Sequence, residues 1–329
     1  MIRILPRSIT RSARLLGALL ATALAGSALA ADLPKELRLD YAYYSPSSLV
    51  LKKFGWLEED LKASNVQVRW IFSQGSNRSL ELLNSGSVDF GSTAGLAATL
   101  SRANGNPVKD VYVLSRPEWT FLVVPKDSPI KTVADLKGKK VAATKGTDPY
   151  LFLLRALHDV GLKKGDIEHV ALQHGDGRAA LEQKRVDAWA GLDPLLATSE
   201  LEFGARPLYR NVAYNTYSFL NTSDSFAAKY PDAVKTVIAN YEKARKWILA
   251  NPEKTAEIVA EEAKISLAVA KLQLSRNDFS NPVPGAEHVK ALKAAAPLLL
   301  EEELVKKGTD VNKVVDELID PAFAKAVVK

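Results

Sequence analysis

The chain has 329 residues, with 44 Lys and Arg against 38 Asp and Glu, four His and no Cys. The absence of cysteine excludes disulfides, thiol catalysis and thiolate metal sites. The charges are interspersed, as in Lys137-Gly138-Lys139-Lys140, and read as solvated faces, not as the concentrated basic patch of a nucleic-acid binder.

The first thirty residues read as an export leader. Arg3, Arg7, Arg11 and Arg14 form a positive start, and residues 15–25 an apolar run. That run is shorter than the roughly 20 residues that span a bilayer. Ala28-Leu29-Ala30 is an A-x-A cleavage pattern, which sets the expected mature start at Ala31 in the periplasm. No Arg-Arg pair marks the twin-arginine route. Taking the four leader bases away leaves 40 bases against 38 acids, a net charge of +2. The remaining length suffices for two domains of ordinary size, and no repeat or low-complexity linker divides it.

Short apolar strands alternate with helices. Residues 37–43 (LRLDYAY) read as a strand, and Ser45-Pro46 as the N-cap and first residue of a helix over 46–61. Strands follow at 66–72, 88–90 and 111–114, with helices opening at Gln74-Gly75-Ser76 and after Gly91-Ser92-Thr93-Ala94-Gly95. The same grammar restarts with strands at 121–125, 139–143, 167–172 and 186–190, and helices at 148–160 and 176–184, the second capped by Asp176. Asp193-Pro194 opens a further helix, residues 215–221 are extended, and everything from Ser223 reads as helix, with Val234, Val237, Ile238, Tyr241 and Ala244 at helical spacing. This alternation implies an α/β fold of mostly parallel, doubly wound sheets. The expected lobes are residues 31–123 plus 214–329, and residues 124–213, joined by a two-segment hinge near 118–124 and 209–217.

Ligands of open parallel sheets sit beyond the carboxyl ends of the strands. The loops there are Tyr44-Ser45-Pro46-Ser47-Ser48, Ser73-Gln74-Gly75-Ser76-Asn77, Gly91-Ser92-Thr93-Ala94-Gly95 and Thr144-Lys145-Gly146-Thr147. Each sets hydroxyls or an amide among small residues at a helix start, where unpaired N–H groups and the helix dipole attract anions. The same Ser and Thr also suit plain N-capping, and both roles remain open to them. Lys145, the one fixed charge in these loops, either pairs with an anion or faces solvent. Asp193 suits a helix cap, a ligand ammonium or a wall of the site. Tyr43, Tyr44, Trp119 and Tyr217 pack either on a ligand's alkyl part or in the core.

No P-loop, GxSxG or HExxH pattern occurs. The four histidines, His158, His169, His174 and His288, show no metal-ligand spacing and read as surface or loop residues. No catalytic residue, metal or cofactor is expected.

Four segments carry a family resemblance: residues 86–91 (GSVDFG), 123–130 (VVPKDSPI), 133–142 (VADLKGKKVA), and Val186-Asp187-Ala188-Trp189 followed by Asp193-Pro194. In this order they resemble the periplasmic substrate-binding proteins of nitrate, sulfonate and taurine ABC importers, and among them the aliphatic sulfonate-binding branch. The resemblance implies a type II periplasmic-binding-protein fold whose two lobes close on a small sulfonate-like anion. It also implies a membrane-embedded ABC permease as partner, a monomer, and no nucleic acid. It sets Ser45, Gln74, Gly75, Ser76, Ser92, Thr93, Ala94, Lys145, Gly146 and Thr147 around the ligand, with Asp193 near it. The family commonly has an aromatic before Asp-Pro, where this chain has Leu192, so its alkyl-binding wall departs from the pattern. Nitrate, taurine, a sulfate ester and a pyrimidine thiamine precursor are the alternative ligands. Related pyrimidine synthases use a cysteine motif that this chain lacks.

Overall fold

The computed structural model describes residues 33–329; the expected leader and its cleavage pattern lie outside the described residues. The chain runs β1 (Glu36–Tyr41), α1 (Pro46–Phe54), α2 (Trp56–Lys62), β2 (Gln67–Phe72), α3 (Ser76–Asn84), β3 (Phe90–Ala94), α4 (Gly95–Ala103) and β4 (Val108–Pro117). It then crosses to β5 (Leu122–Val124), β6 (Lys140–Ala143), α5 (Asp148–Asp159), β7 (Glu168–Ala171), α6 (His174–Glu182), β8 (Ala188–Ala190), α7 (Leu195–Phe203) and β9 (Arg206–Tyr209). After a return crossing come β10 (Ser218–Ser223), α8 (Asp224–Lys229), α9 (Pro231–Ala250), α10 (Pro252–Ala263), α11 (Leu267–Ser275), β11 (Asn277–Asp278), α12 (Ala286–Ala295), α13 (Pro297–Glu301), α14 (Val311–Leu318) and α15 (Ala322–Val327).

Two sheets result. One has the order β11-β4-β10-β3-β1-β2 and the other β7-β6-β8-β5-β9. In the first, β1 is parallel to β2 and β3, and β10 runs antiparallel between β3 and β4. In the second, β6 is parallel to β7 and β8, while β5 is antiparallel to β8 and β9. Each sheet thus has a parallel core whose strands lead into helices at their carboxyl ends, with antiparallel strands where the chain enters or returns.

Local chemistry explains the departures from the sequence reading. Gly55 takes a left-handed φ of +63° and its N–H bonds back to Leu51 and Lys52 carbonyls, so the helix expected over 46–61 becomes α1 and α2. The strand β9 contains Pro207 and lies at a sheet edge, where a missing donor is tolerated. The short β11 interrupts the helical tail by pairing with the end of β4. In α9 the spaced residues Val234, Val237, Ile238, Tyr241 and Ala244 are all buried, and each large apolar side chain so buried contributes roughly 1.5–3 kcal/mol. Trp189, Phe121 and Phe152 fill the interior around the second sheet, and Tyr112, Phe90 and Tyr241 that around the first.

The histidine expectation needs correction for two of the four. His174 and His288 are fully buried. The helix α6 begins at His174 itself, two residues before the expected cap Asp176, which makes no capping bond. The earlier start turns the imidazole inward. His288 lies one turn into α12, with its ring 4.4 Å from that of Tyr217.

Candidate functional site

The helices α1, α3 and α4 follow β1, β2 and β3, and α5, α6 and α7 follow β6, β7 and β8. Their first turns therefore gather at the carboxyl ends of the parallel strands in each sheet. Buried Asp40, near the end of β1, organises the first group. It accepts bonds from the Ser73 hydroxyl at 2.8 Å and from the Ser92 N–H and hydroxyl at 2.9 and 3.1 Å. Burial pushes its carboxyl up to about 6, against the pull of these donors. Tyr44 donates to the Ser92 carbonyl at 3.0 Å, and the Ser76 hydroxyl accepts from Ala94 N–H at 3.0 Å. The Thr93 hydroxyl donates to Asn221 and that of Thr147 to the Thr144 carbonyl. These hydroxyls hold the loops against one another. Ser45 stands at the N-cap position of α1 but makes no capping bond, and its buried hydroxyl has no partner.

Trp119 joins the two groups of helix starts. Its ring meets Tyr44 edge-on at 5.9 Å, and its indole N–H donates to Asp148 at 3.0 Å. Asp148, the first residue of α5, also accepts from Thr216 N–H at 3.0 Å and from its hydroxyl at 2.7 Å. Thr216 in turn holds the start of α4, accepting from Leu96 N–H through its hydroxyl and from Gly95 N–H through its carbonyl. One buried carboxylate thus ties the second sheet's helix start to both crossings. The crossings are also joined directly, since Asn215 accepts from Thr120 N–H at 2.9 Å and donates to the Thr120 carbonyl at 3.3 Å.

The loops of the two sheets meet at two glycines. A Cβ on Gly75 would stand 2.7 Å from His174 Nε2 and 3.0 Å from Asn77 Oδ1, and one on Gly146 would stand 3.5 Å from Asn77 Cβ. Gln74 is exposed beside this seam, and its carbonyl accepts from the Tyr43 hydroxyl at 2.6 Å. Burial lowers the His174 imidazole to about 3, so the ring is neutral.

Three of the expected site residues have further surroundings outside these loops. Lys145 is exposed and, with Gly146, borders a cavity of about 380 Å³ whose other walls include Asn104, Tyr150, Lys164 and Glu302. Tyr217 has a left-handed φ of +62° and sits against His288 and Arg116, by α12. Asp193 is fully buried and paired with Arg276 at 3.1 Å, and it caps α7 by accepting from Ala197 N–H at 2.9 Å. Burial pushes Asp193 up to about 6, opposed by Arg276. Its charge is answered by that guanidinium. Asp40, Asp148 and Arg276 are not among the expected site residues, Asn77 is expected only as the end of the Ser73–Asn77 loop, and His174 reads from the sequence as a surface or loop residue.

Among the described residues no cluster of three or more His, Cys, Asp or Glu could hold a metal ion, and no helix is long and apolar enough to cross a membrane. What the arrangement offers is hydrogen bonding: helix starts from two sheets, a free hydroxyl at Ser45 and a neutral imidazole at the seam.

A family model described as NMT1/THI5 like matches residues 55–255. A protein of Escherichia coli (strain K12), provisionally named an aliphatic sulfonates-binding protein, is 33% identical over 283 residues, 85% of this chain and 88% of that one. Among solved structures, the alkanesulfonate-binding protein SsuA from Xanthomonas axonopodis pv. citri bound to MOPS superposes with a TM-score of 0.79 at 27% identity, over 87% of this chain and 98% of that one. The periplasmic aliphatic sulphonate binding protein SsuA from Escherichia coli gives 0.75 at 32% identity, over 88% and 94%. The family match spans more than half of the sequence and the relatives align over most of theirs; the chain belongs to the NMT1/THI5-like family and has the periplasmic-binding-protein fold.

Proposed function

We propose that this chain is exported to the periplasm, captures an aliphatic sulfonate between two lobes, and delivers it to the membrane-embedded permease of an ABC importer. The lobes are residues 31–123 with 214–329, and residues 124–213, turning about the two crossings. The observation that carries the reading is the meeting of helix starts from both sheets at the Gly75–His174 and Gly146–Asn77 seam. Each start brings N–H donors suited to an oxyanion, and the seam opens or closes with the lobes. The named specificity of the sulfonate-binding relatives supports the choice of headgroup. Capture without turnover fits a site built of hydrogen-bonding groups, in which the buried carboxylates Asp40, Asp148 and Asp193 all have internal partners.

The test is a thermal-shift panel on the protein from Ala31 to Lys329. It contains alkanesulfonates of increasing length, taurine, sulfate esters, nitrate and pyrimidine precursors. A ligand that binds only the folded state raises the melting temperature by mass action. A rise confined to sulfonates is the expected result, and a rise with nitrate or pyrimidines alone would reject the sulfonate reading.

A further inference from the structure

The buried imidazole of His174 has an assignable tautomer. Thr144 has one hydroxyl hydrogen, and it goes to the Leu172 carbonyl at 2.8 Å. Toward His174 Nδ1, 3.2 Å away, the Thr144 oxygen is therefore the acceptor, and Nδ1 carries the ring hydrogen. Nε2 is left as a bare lone pair on a side chain with no exposed surface, and it has no hydrogen-bond partner. Asn77 Oδ1, also buried and also without a partner, is a second acceptor. Both atoms converge on the face of Gly75 that a side chain would occupy, 2.7 and 3.0 Å from the position of its Cβ. Buried acceptors are almost always satisfied. An oxyanion cannot satisfy these, because two lone pairs facing a third repel.

We propose that His174 Nε2 and Asn77 Oδ1 form a subsite for a hydrogen-bond donor, so that the preferred ligand is an aliphatic sulfonate bearing a hydroxyl or ammonium group. This rests on the sulfonate reading above. The helix starts take the sulfonate, and the two acceptors at the seam take the O–H or N–H at the other end. A side chain at Gly75 would press on both acceptors, its Cβ standing 2.7 Å from Nε2. The acceptors belong to different sheets, Asn77 to α3 and His174 to α6, so a donor shared between them also holds the seam together. A plain alkyl chain of the same length leaves both acceptors unpaired, and a site built around a donor discriminates strongly against an analogue without one.

The experiment is titration calorimetry at pH 7.5 with ethanesulfonate, 2-hydroxyethanesulfonate and 2-aminoethanesulfonate. It uses the wild-type protein, His174→Phe and His174→Gln, each first checked for a cooperative melt. At least one donor-bearing ligand should bind the wild-type protein tenfold or more tighter than ethanesulfonate. His174→Phe should erase the preference, and His174→Gln, which keeps an acceptor near Nε2, should restore part of it. Equal affinity of the three ligands for the wild-type protein overturns this proposal and leaves the sulfonate reading intact. So does a preference that survives His174→Phe. Ethanesulfonate affinity that rises about tenfold per unit as pH falls would also overturn it, by showing that the ring binds the anion as an imidazolium. Failure of all three sulfonates to bind overturns this proposal, and the longer alkanesulfonates of the thermal-shift panel then decide the sulfonate reading.

Discussion

Arg276 and Asp193 lie 83 positions apart in sequence and 3.1 Å apart in space, with 6% and 1% of their side chains exposed. Arg276 sits between α11 and β11, beside the first sheet, and Asp193 opens α7, beside the second. The guanidinium also pairs with Glu200 and lies 5.0 Å over the Phe121 ring. Removing one partner of a buried pair leaves an uncompensated charge and costs about 3–5 kcal/mol. Arg276→Met is therefore expected to lower unfolding stability by that amount in urea titration. Asp193→Leu with Arg276→Met should recover most of the loss. A residue of about 1 kcal/mol should persist, because Asp193 also caps α7.

His174 gives the protein an acid liability that can be isolated. Its folded value near 3 lies below the ordinary 6.5 of the unfolded chain. Between those values the unfolded state holds the extra proton, so this group's contribution is lost as pH falls through the window, by about 1.4 kcal/mol per unit. Asp40 and Asp193, raised from 3.8 to about 6, act with the opposite sign: their folded forms hold protons longer, and stability falls as pH rises from about 4 to 6. The wild-type profile sums these effects. The difference between wild type and His174→Phe removes the carboxylates, and should shift by about 2 kcal/mol in favour of the variant between pH 7 and pH 5. Parallel stability curves for the two proteins would show that the imidazole stays accessible to protons.

Gly75 is extended, at φ 172°, so alanine suits its backbone. The cost of Gly75→Ala comes from its methyl group, placed 2.7 Å from a ring that is fully buried. Sulfonate affinity should fall at least tenfold. His174→Ala alone should lower the melting temperature through the cavity it leaves, and the loss in Gly75→Ala with His174→Ala should be less than the sum of the two single losses, because the added methyl then enters that space.

Lys145 and Gly146 separate charge from shape in one loop. Lys145→Ala alters an exposed side chain and is expected to leave the melting temperature unchanged while weakening anion binding a few-fold, more at low salt than at high. Gly146 has φ +75°, so a bulky residue there costs roughly 1–2 kcal/mol in backbone strain and also crowds Asn77. Affinity should drop more for Gly146→Leu than for Lys145→Ala. Unaltered affinity in both variants would remove this loop from the site.

Much of the fold was legible because its signals are local. Alternating strands and helices, the Pro46 helix start and the apolar spacing of α9 each lie within a few consecutive residues. The loops at the strand ends could be read for the same reason. The polar partners inside the site could not. Asp40 reaches Ser92 across 52 positions, Asp148 reaches Thr216 across 68, and Asp193 reaches Arg276 across 83. No periodicity records such pairings. Nor does composition separate His174, which is buried, from His158, which is exposed on α5; a shift of two residues in a helix start decides it.

The paired bonds between Asn215 and Thr120 have a mechanical meaning. The amide offers Thr120 the donor and acceptor that an adjoining strand would offer, so the outgoing and returning segments are stitched at mid-span. Two separate strings could twist, slide and shear independently. A stitched pair behaves as one ribbon, stiff against sliding and soft only in bending and twist. On the proposed two-lobe reading, such a ribbon restricts how residues 124–213 turn against the rest of the chain.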